Sequence, residues 1–410
     1  MPEDRNLLTP RKRGGKLPTV VVALGLASFL TDMSSEMIYP LLPVFLTTVL
    51  GAGAISLGVI EGVAETTASL LKLFSGIWSD RVSRRKPFVV AGYGLAGLAR
   101  PLIGLATGWL FVLAMRFTDR IGKGLRTSPR DALIADAVPP ANRGAAFGFQ
   151  RAMDHAGAVA GPLVAAVLMT AAGLSLRQVF LLAFIPAAAV ILVLVLGVRE
   201  KALAPPAREK QPILGRWGQL GPSIHAYLLS LLIFTLGNST DAFILLLLTS
   251  AGMPVYGIPL IWALHHVVKM VSSWLGGGLS DRIGRKRIVL AGWALYGLVY
   301  LAFAVFDSLA ALVIIFLVYG LYYGLTEPVE RAWMADLAPK TRVGEAMGYY
   351  HATVGLGALP ASVLFGLIWN SFGASAAFTL GALLALAAAI LLTRVEEPRQ
   401  EEAVSLSAAG

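Results

Sequence analysis

Apolar runs of about 20 residues recur along the whole chain, and a helix needs roughly that many to cross the hydrocarbon of a bilayer. Inside lipid each segment must satisfy its own backbone groups, so helices are the expected form. Twelve segments can be drawn: 18–49, 53–79, 87–106, 109–128, 143–171, 177–198, 222–249, 253–279, 288–306, 308–327, 342–369 and 374–394. Of 410 residues, 56% are hydrophobic and 14% charged, which outweighs the two- or three-domain soluble reading that length alone favours. There are no cysteines, so disulfides, thiolate metal sites and cysteine nucleophiles are excluded.

The net charge of +10 first resembles a nucleic-acid signal, but its placement argues otherwise. Basic residues gather in alternate loops: Arg5 to Lys16, Arg81 to Lys86, Arg126 to Arg143, Arg199 to Arg216, Arg282 to Arg287, Arg331 to Arg342, and Arg394 with Arg399. Opposite loops such as GAGA (51–54) and TSAG (249–252) are short and nearly uncharged. That asymmetry places both termini in the cytoplasm and excludes nucleic acid as a partner. The N-terminus begins like a signal peptide, yet its apolar run continues to about Val49 through Asp32 and Glu36. It is expected to be a retained first helix. Membrane lipid is an expected partner, with Arg11 to Lys16 able to touch anionic headgroups.

One dense charge cluster is written twice, 201 residues apart. SGIWSDRVSRRK (75–86) and GGGLSDRIGRKR (276–287) share Gly-x-x-x-Asp-Arg-x-x-Arg, starting at Gly76 and Gly277. Ala135-Asp136 echoes Ala335-Asp336, Arg143 echoes Arg342, Gly148 echoes Gly348, and Thr31-Asp32 echoes Thr240-Asp241. Between the copies, REKALAPPAREKQPILGRWGQLG is rich in proline and charge and reads as a linker. The expected division is an N-tail (1–17), a six-helix bundle (18–198), a linker (199–221), a second bundle (222–394) and a C-tail (395–410).

Twelve segments in two repeats, with GGLSDRIGRKR at the second repeated loop, resemble the major facilitator superfamily. The first copy departs once, with Ser83 where that family prefers glycine. TDMSSEMIYPLLPVFL resembles a prokaryotic branch whose substrates are mostly unassigned. The resemblance implies an all-α integral membrane protein with alternating access, multi-pass in the cytoplasmic (inner) membrane. It implies a conformational latch at Gly76, Asp80, Arg81 and Arg84 and at Gly277, Asp281, Arg282 and Arg285, holding an outward-facing state. It also implies an exporter-type signature in GFQRAMDHAGAVAGPL, where Gly148, Gly157, Gly161 and Pro162 would let helix 5 bend and pack closely. That pattern's last glycine is Ala165 here.

Charges inside the membrane carry the chemistry. Each costs at least about 2.5 kcal/mol on the mildest insertion scale and so demands a partner or a cavity. Ser28, Asp32, Ser35, Glu36 and Tyr39 form one stripe of helix 1, and helix 2 offers Glu61, Glu65 and Lys72. Helix 4 carries Arg116, Asp119, Arg120 and Lys123, and helix 5 carries Arg151, Asp154 and His155. The C-half supplies Asn238, Asp241, Trp262, His266, Tyr319 and Tyr323, mostly aromatic and imidazole surface. These residues are expected to line a substrate cavity at the interface of the halves. Intrahelical ion pairs are the competing reading of Asp119 with Arg116 or Arg120 and of Asp154 with Arg151. Asp32, Glu65 and Glu36 are the candidates for carrying a coupled proton, because Asp32 and Glu65 have no opposite charge one turn away.

Adjacent His265 and His266 point different ways on a helix, so no metal site is expected. No phosphate loop, HExxH or nucleophile motif occurs, so neither a cofactor nor an enzymatic reaction is expected. The expected function is proton-coupled export of a small organic solute or drug, by a monomer. The alternatives are an uptake symporter for a small anion or metal chelate, read from the basic stripe, and a non-transporting membrane sensor or scaffold.

Overall fold

The computed structural model describes residues 17–79, 85–139, 143–200, 220–338 and 343–396. Its helices join into twelve rods: α1 (Thr19–Val49), α2 (Ala54–Ser79), α3 (Lys86–Leu105), α4 (Trp109–Asp136), α5 (Arg143–Thr170), α6 (Leu176–Gly197), α7 (Pro222–Ser250), α8 (Gly257–Ile283), α9 (Arg285–Val305), α10 (Leu309–Leu337), α11 (Val343–Phe372) and α12 (Ala374–Leu392). No strand occurs among the described residues. Ten rods are long and apolar enough to cross a membrane by composition. The other two are α4 and α8, and α4 fails because the charge it buries sits in its middle.

Two sequence boundaries move by eight residues or more. The segments ending at 128 and 327 continue as helix to Asp136 and Leu337. Polar residues there, including Arg130, Asp131 and Arg331, extend the helices instead of forming loops. Pro129 and Pro328 lie inside these helices without ending them. α1 and α7 are interrupted near their middles. In α1 regular helix stops at Glu36 and resumes through a short 3-10 turn at Tyr39–Leu41. In α7 it stops at Gly237 and resumes at Ala242.

α1–α6 and α7–α12 each pack as a bundle, and the halves meet chiefly along α2 with α11 and α5 with α8. Small residues make the first seam possible. A Cβ built on Gly58 would stand 2.3 Å from the Ser362 carbonyl oxygen, and one on Gly355 would stand 2.3 Å from Ser69 Cβ. Gly157 and Gly161 seat α5 on α1 in the same way, against the carbonyls of Phe29 and Met33. Gly148 meets nothing within 4 Å, so only the later part of the glycine pattern makes contacts, while the helix runs through Pro162.

One large apolar cluster joins both halves; in the C-half it runs the length of the bundle, while its N-half members gather at the end where α1 leads to α2. Phe45 packs on Phe180 at 5.0 Å there, and Phe243 on Phe365 at 4.7 Å. A second, smaller cluster around Val21, Val89, Tyr93 and Leu194 belongs to the N-half alone. The molecule is therefore sealed across its halves at one end. At the other end, where α2 leads to α3, the N-half packs separately.

At that second end the two copies of the charged loop show the same clip. Arg85 pairs with Asp136, and Arg285 with Asp336 at 3.2 Å. Lys86 Nζ donates to the Val198 carbonyl at 2.7 Å, and Lys286 Nζ to the Val395 carbonyl at 2.6 Å. Each clip ties a loop to its own half. Asp80, Arg81 and Arg84 lie outside the described residues, as do the side chains of Lys72, Gly277 and Asp281; Gly76 lies on α2. Arg282 is exposed.

Candidate functional site

A cavity of about 740 Å³ lies between the halves. Its floor is near the breaks in α1 and α7, which contribute Asp32, Glu36 and Tyr39 on one side and Asn238, Thr240 and Asp241 on the other. Exposure rises from floor to mouth. Glu61 and Arg116 side chains are each 6% exposed, whereas Arg151, Glu327 and Arg331 are 55%, 43% and 39% exposed. The mouth therefore opens at the end that carries the two clips.

The floor is closed by bonds across the halves. Trp262 Nε1 donates to Glu36 at 2.8 Å. The hydroxyls of Tyr39 and Thr240 stand 3.2 Å apart. Tyr39 also packs on Trp262, ring to ring at 5.3 Å.

The N-half wall is ionic. Arg116 binds both oxygens of Glu61 through Nη2 at 2.7 Å, with Nε at 3.0 Å from the same carboxylate. Asp119 accepts from Arg100 Nε at 2.6 Å, and Arg100 Nη1 donates to the Thr31 carbonyl at 3.1 Å. These pairs are buried and bridge different helices, α4 to α2 and α4 to α3. The intrahelical pairing expected for Asp119 is thus secondary: Arg116 is 3.8 Å away and Arg120 4.0 Å. A buried charge needs good geometry and further hydrogen bonds to offset desolvation, and Arg100 and Arg116 have both. Asp154 takes two bonds from Gln150, at 2.7 and 2.8 Å, with Arg151 at 3.6 Å.

The C-half wall is built from rings around carboxylates. Asp241 accepts from Tyr319 at 2.9 Å and from Tyr323 at 2.8 and 2.9 Å. Lys269 Nζ stands 3.5 Å from the centre of the Tyr323 ring, a cation–π contact. Glu330 accepts from Trp293 Nε1 at 2.8 Å and from the Tyr350 hydroxyl at 3.0 Å. Glu327 pairs with Arg331 at 2.7 Å and reaches Arg151 of the other half at 3.9 Å. This wall is more charged than expected, because Lys269, Glu327, Glu330 and Arg331 all line it.

Of the expected cavity residues, Arg116, Arg120, Lys123, Arg151, Asp154, His155, Asn238, Asp241, His266 and Tyr323 face the cavity, as do Asp32, Glu36 and Glu65. Three do not line it. Asp119 lies behind the arginines, Trp262 is turned onto Glu36, and Tyr319 backs Asp241. His265 and His266 diverge: His265 stacks on Phe316 at 4.3 Å, while His266 faces the cavity. No group of three or more metal-ligating side chains occurs among the described residues.

Sequence reading missed Arg100, Arg126, Glu330 and Arg331 as wall residues. Arg100 was hidden in an apolar run. Arg126, at the end of the segment 109–128, was counted with the basic loop after it, and Arg331 lay beyond the segment ending at 327, where a helical-wheel continuation recovers it. Glu330 had no signal of its own.

This arrangement, a charged cavity between two six-helix repeats, defines a membrane transporter. The Major Facilitator Superfamily profile matches residues 24–272 and 263–409, and the chain belongs to that family. An uncharacterized MFS-type transporter of Methanocaldococcus jannaschii is 34% identical over 95% of this chain and 98% of its own length. The multi-drug resistance efflux pump PmrA of Streptococcus pneumoniae is 25% identical over 86% of this chain and 89% of its own. The structure of the nucleoside transporter NupG, at 13% identity, superposes with a TM-score of 0.78 over 92% of this chain and all of its own, a likeness of fold.

Proposed function

We propose that this protein is a proton-coupled exporter of a small organic solute, working by alternating access as a monomer in the cytoplasmic membrane. The carrying observation is the cavity itself, charged on both walls, open at one end and sealed at the other by contacts between the halves. Rigid-body rocking of two bundles about such a seal exposes one site to each side in turn. The positive-inside pattern puts the open mouth and both termini in the cytoplasm. The clips at Arg85–Asp136 and Arg285–Asp336 would stiffen each half while Asp80 and Asp281 latch them in the other state.

Asp32 is the proposed proton carrier. It faces the cavity, and no described side chain donates a hydrogen bond to its carboxylate. Glu65 stands second. Glu36 is third, because a proton there would weaken the Trp262 bond that helps close the floor. Export is favoured by the seating of Gly157 and Gly161 on α1 and by the similarity to a multi-drug efflux pump. A second reading, uptake of a small anion together with a proton, is favoured by the arginines of α4.

Proteoliposomes with an imposed pH gradient test this. A solute that dissipates the gradient in the wild type should fail to do so with Asp32→Asn, while that variant still inserts and folds. Wild-type proton flux in Asp32→Asn would remove Asp32 from the mechanism.

A further inference from the structure

Four guanidinium groups of α3 and α4 face this cavity, and they divide into two kinds. Arg100 and Arg116 are saturated by carboxylates at 2.6–2.7 Å. Arg120 and Arg126 donate no hydrogen bond to any described residue. Arg120 has a buried Nε without a partner, and its nearest carboxylate, Asp119, is 4.0 Å away and already held by Arg100. Arg126 is only 4% exposed, its Nη1 is buried without a partner, and its guanidinium lies over the Tyr93 ring at 4.4 Å. Leaving donors of a buried charged group unmade is expensive, so such groups call for an explanation.

Packing does not supply it. A Cβ built on Gly92 would stand 2.8 Å from Arg126 Cβ, and in the other repeat one built on Gly292 would stand 2.5 Å from Thr326 Cγ2, so a threonine fills the equivalent place. The position equivalent to Arg120 is Gly320. The fold builds this helix pair without either guanidinium.

We propose that Arg120 and Arg126 are the seat for the carboxylate of a small organic anion, and that this anion is the transported solute. The seat rests on the transporter reading and names its solute class. A guanidinium presents a planar fork that matches a carboxylate in two parallel bonds.

The test uses the full chain in nanodiscs and in proteoliposomes. Benzoate, succinate and citrate are each compared with their amides, and with tetraphenylphosphonium, for thermal protection and for flux. At least one carboxylate should protect where its amide does not. Arg120→Gln should weaken that carboxylate at least 10-fold, as should Arg126→Thr, which copies the other repeat and so should fold. Arg126→Lys should recover only part of the loss, because lysine lacks the fork. Equal protection by carboxylate and amide, or no protection by any carboxylate, overturns the seat without reference to any variant. Carboxylate binding without flux overturns the transport reading and keeps the seat. Flux of tetraphenylphosphonium or an amide that survives both variants overturns the seat and keeps transport.

Discussion

The two halves solve one packing problem with different chemistry. Arg100 and Asp119 of the N-half occupy the repeat positions of Tyr300 and Tyr319, whose rings stand 6.2 Å apart. Glu61 and Arg116 occupy those of Trp262 and Phe316, stacked at 6.1 Å. The equivalence holds in space. Gly124 packs on Leu71 as Gly324 packs on Ser272, and Gly92 on Arg126 as Gly292 on Thr326. Where one half ties its helices with buried ion pairs, the other uses ring stacks. Ring stacks need no partner charge and tolerate movement, whereas a buried pair broken on one side leaves an uncompensated ion. The N-half is therefore the more brittle half electrostatically.

That asymmetry can be broken. The largest effect is expected from Arg116→Leu, which strands Glu61 and should cost about 3–5 kcal/mol. Melting in detergent should fall steeply, and the double variant Glu61→Gln/Arg116→Met should recover much of the loss. The corresponding C-half change, Phe316→Leu, should cost less than Arg116→Leu; an equal loss would end the comparison. Gly58→Ala comes next. Its Cβ would meet the Ser362 carbonyl, and overpacking of about 1–3 kcal/mol should slow flux as well as lower stability. Smaller still, Tyr319→Phe and Tyr323→Phe each remove a donor to Asp241, at about 1 kcal/mol apiece. Double-mutant coupling between the two would show that Asp241 is held as a unit. The smallest change is Lys269→Met, where loss of the contact over Tyr323 should cost about 0.5–1 kcal/mol.

Much of the fold was legible because lipid permits few backbones. Twelve runs, the doubled charged loop and the loop charge asymmetry are local properties of the chain. The site was legible only in part. Stripes on α1 and α4 showed which residues must face inward, since a charge facing lipid is too costly. They did not show that Asp119 would be claimed by Arg100 from another helix, or that Trp262 would turn onto Glu36 across the halves. Helix ends at 128 and 327 were misplaced because loss of hydropathy was taken for loss of helix, where polar residues extend α4 and α10 along an aqueous cavity.

The sequence by itself determined the number of helices, their repeat and the surplus of buried charge, because each follows from what a bilayer excludes. Only the tertiary structure decided which carboxylate satisfies which arginine, and so which guanidinium groups are left over. Pairing depends on distances of a few ångströms between side chains far apart in the chain, 55 residues for Glu61 and Arg116 and 176 for Arg151 and Glu327, and no local pattern encodes those.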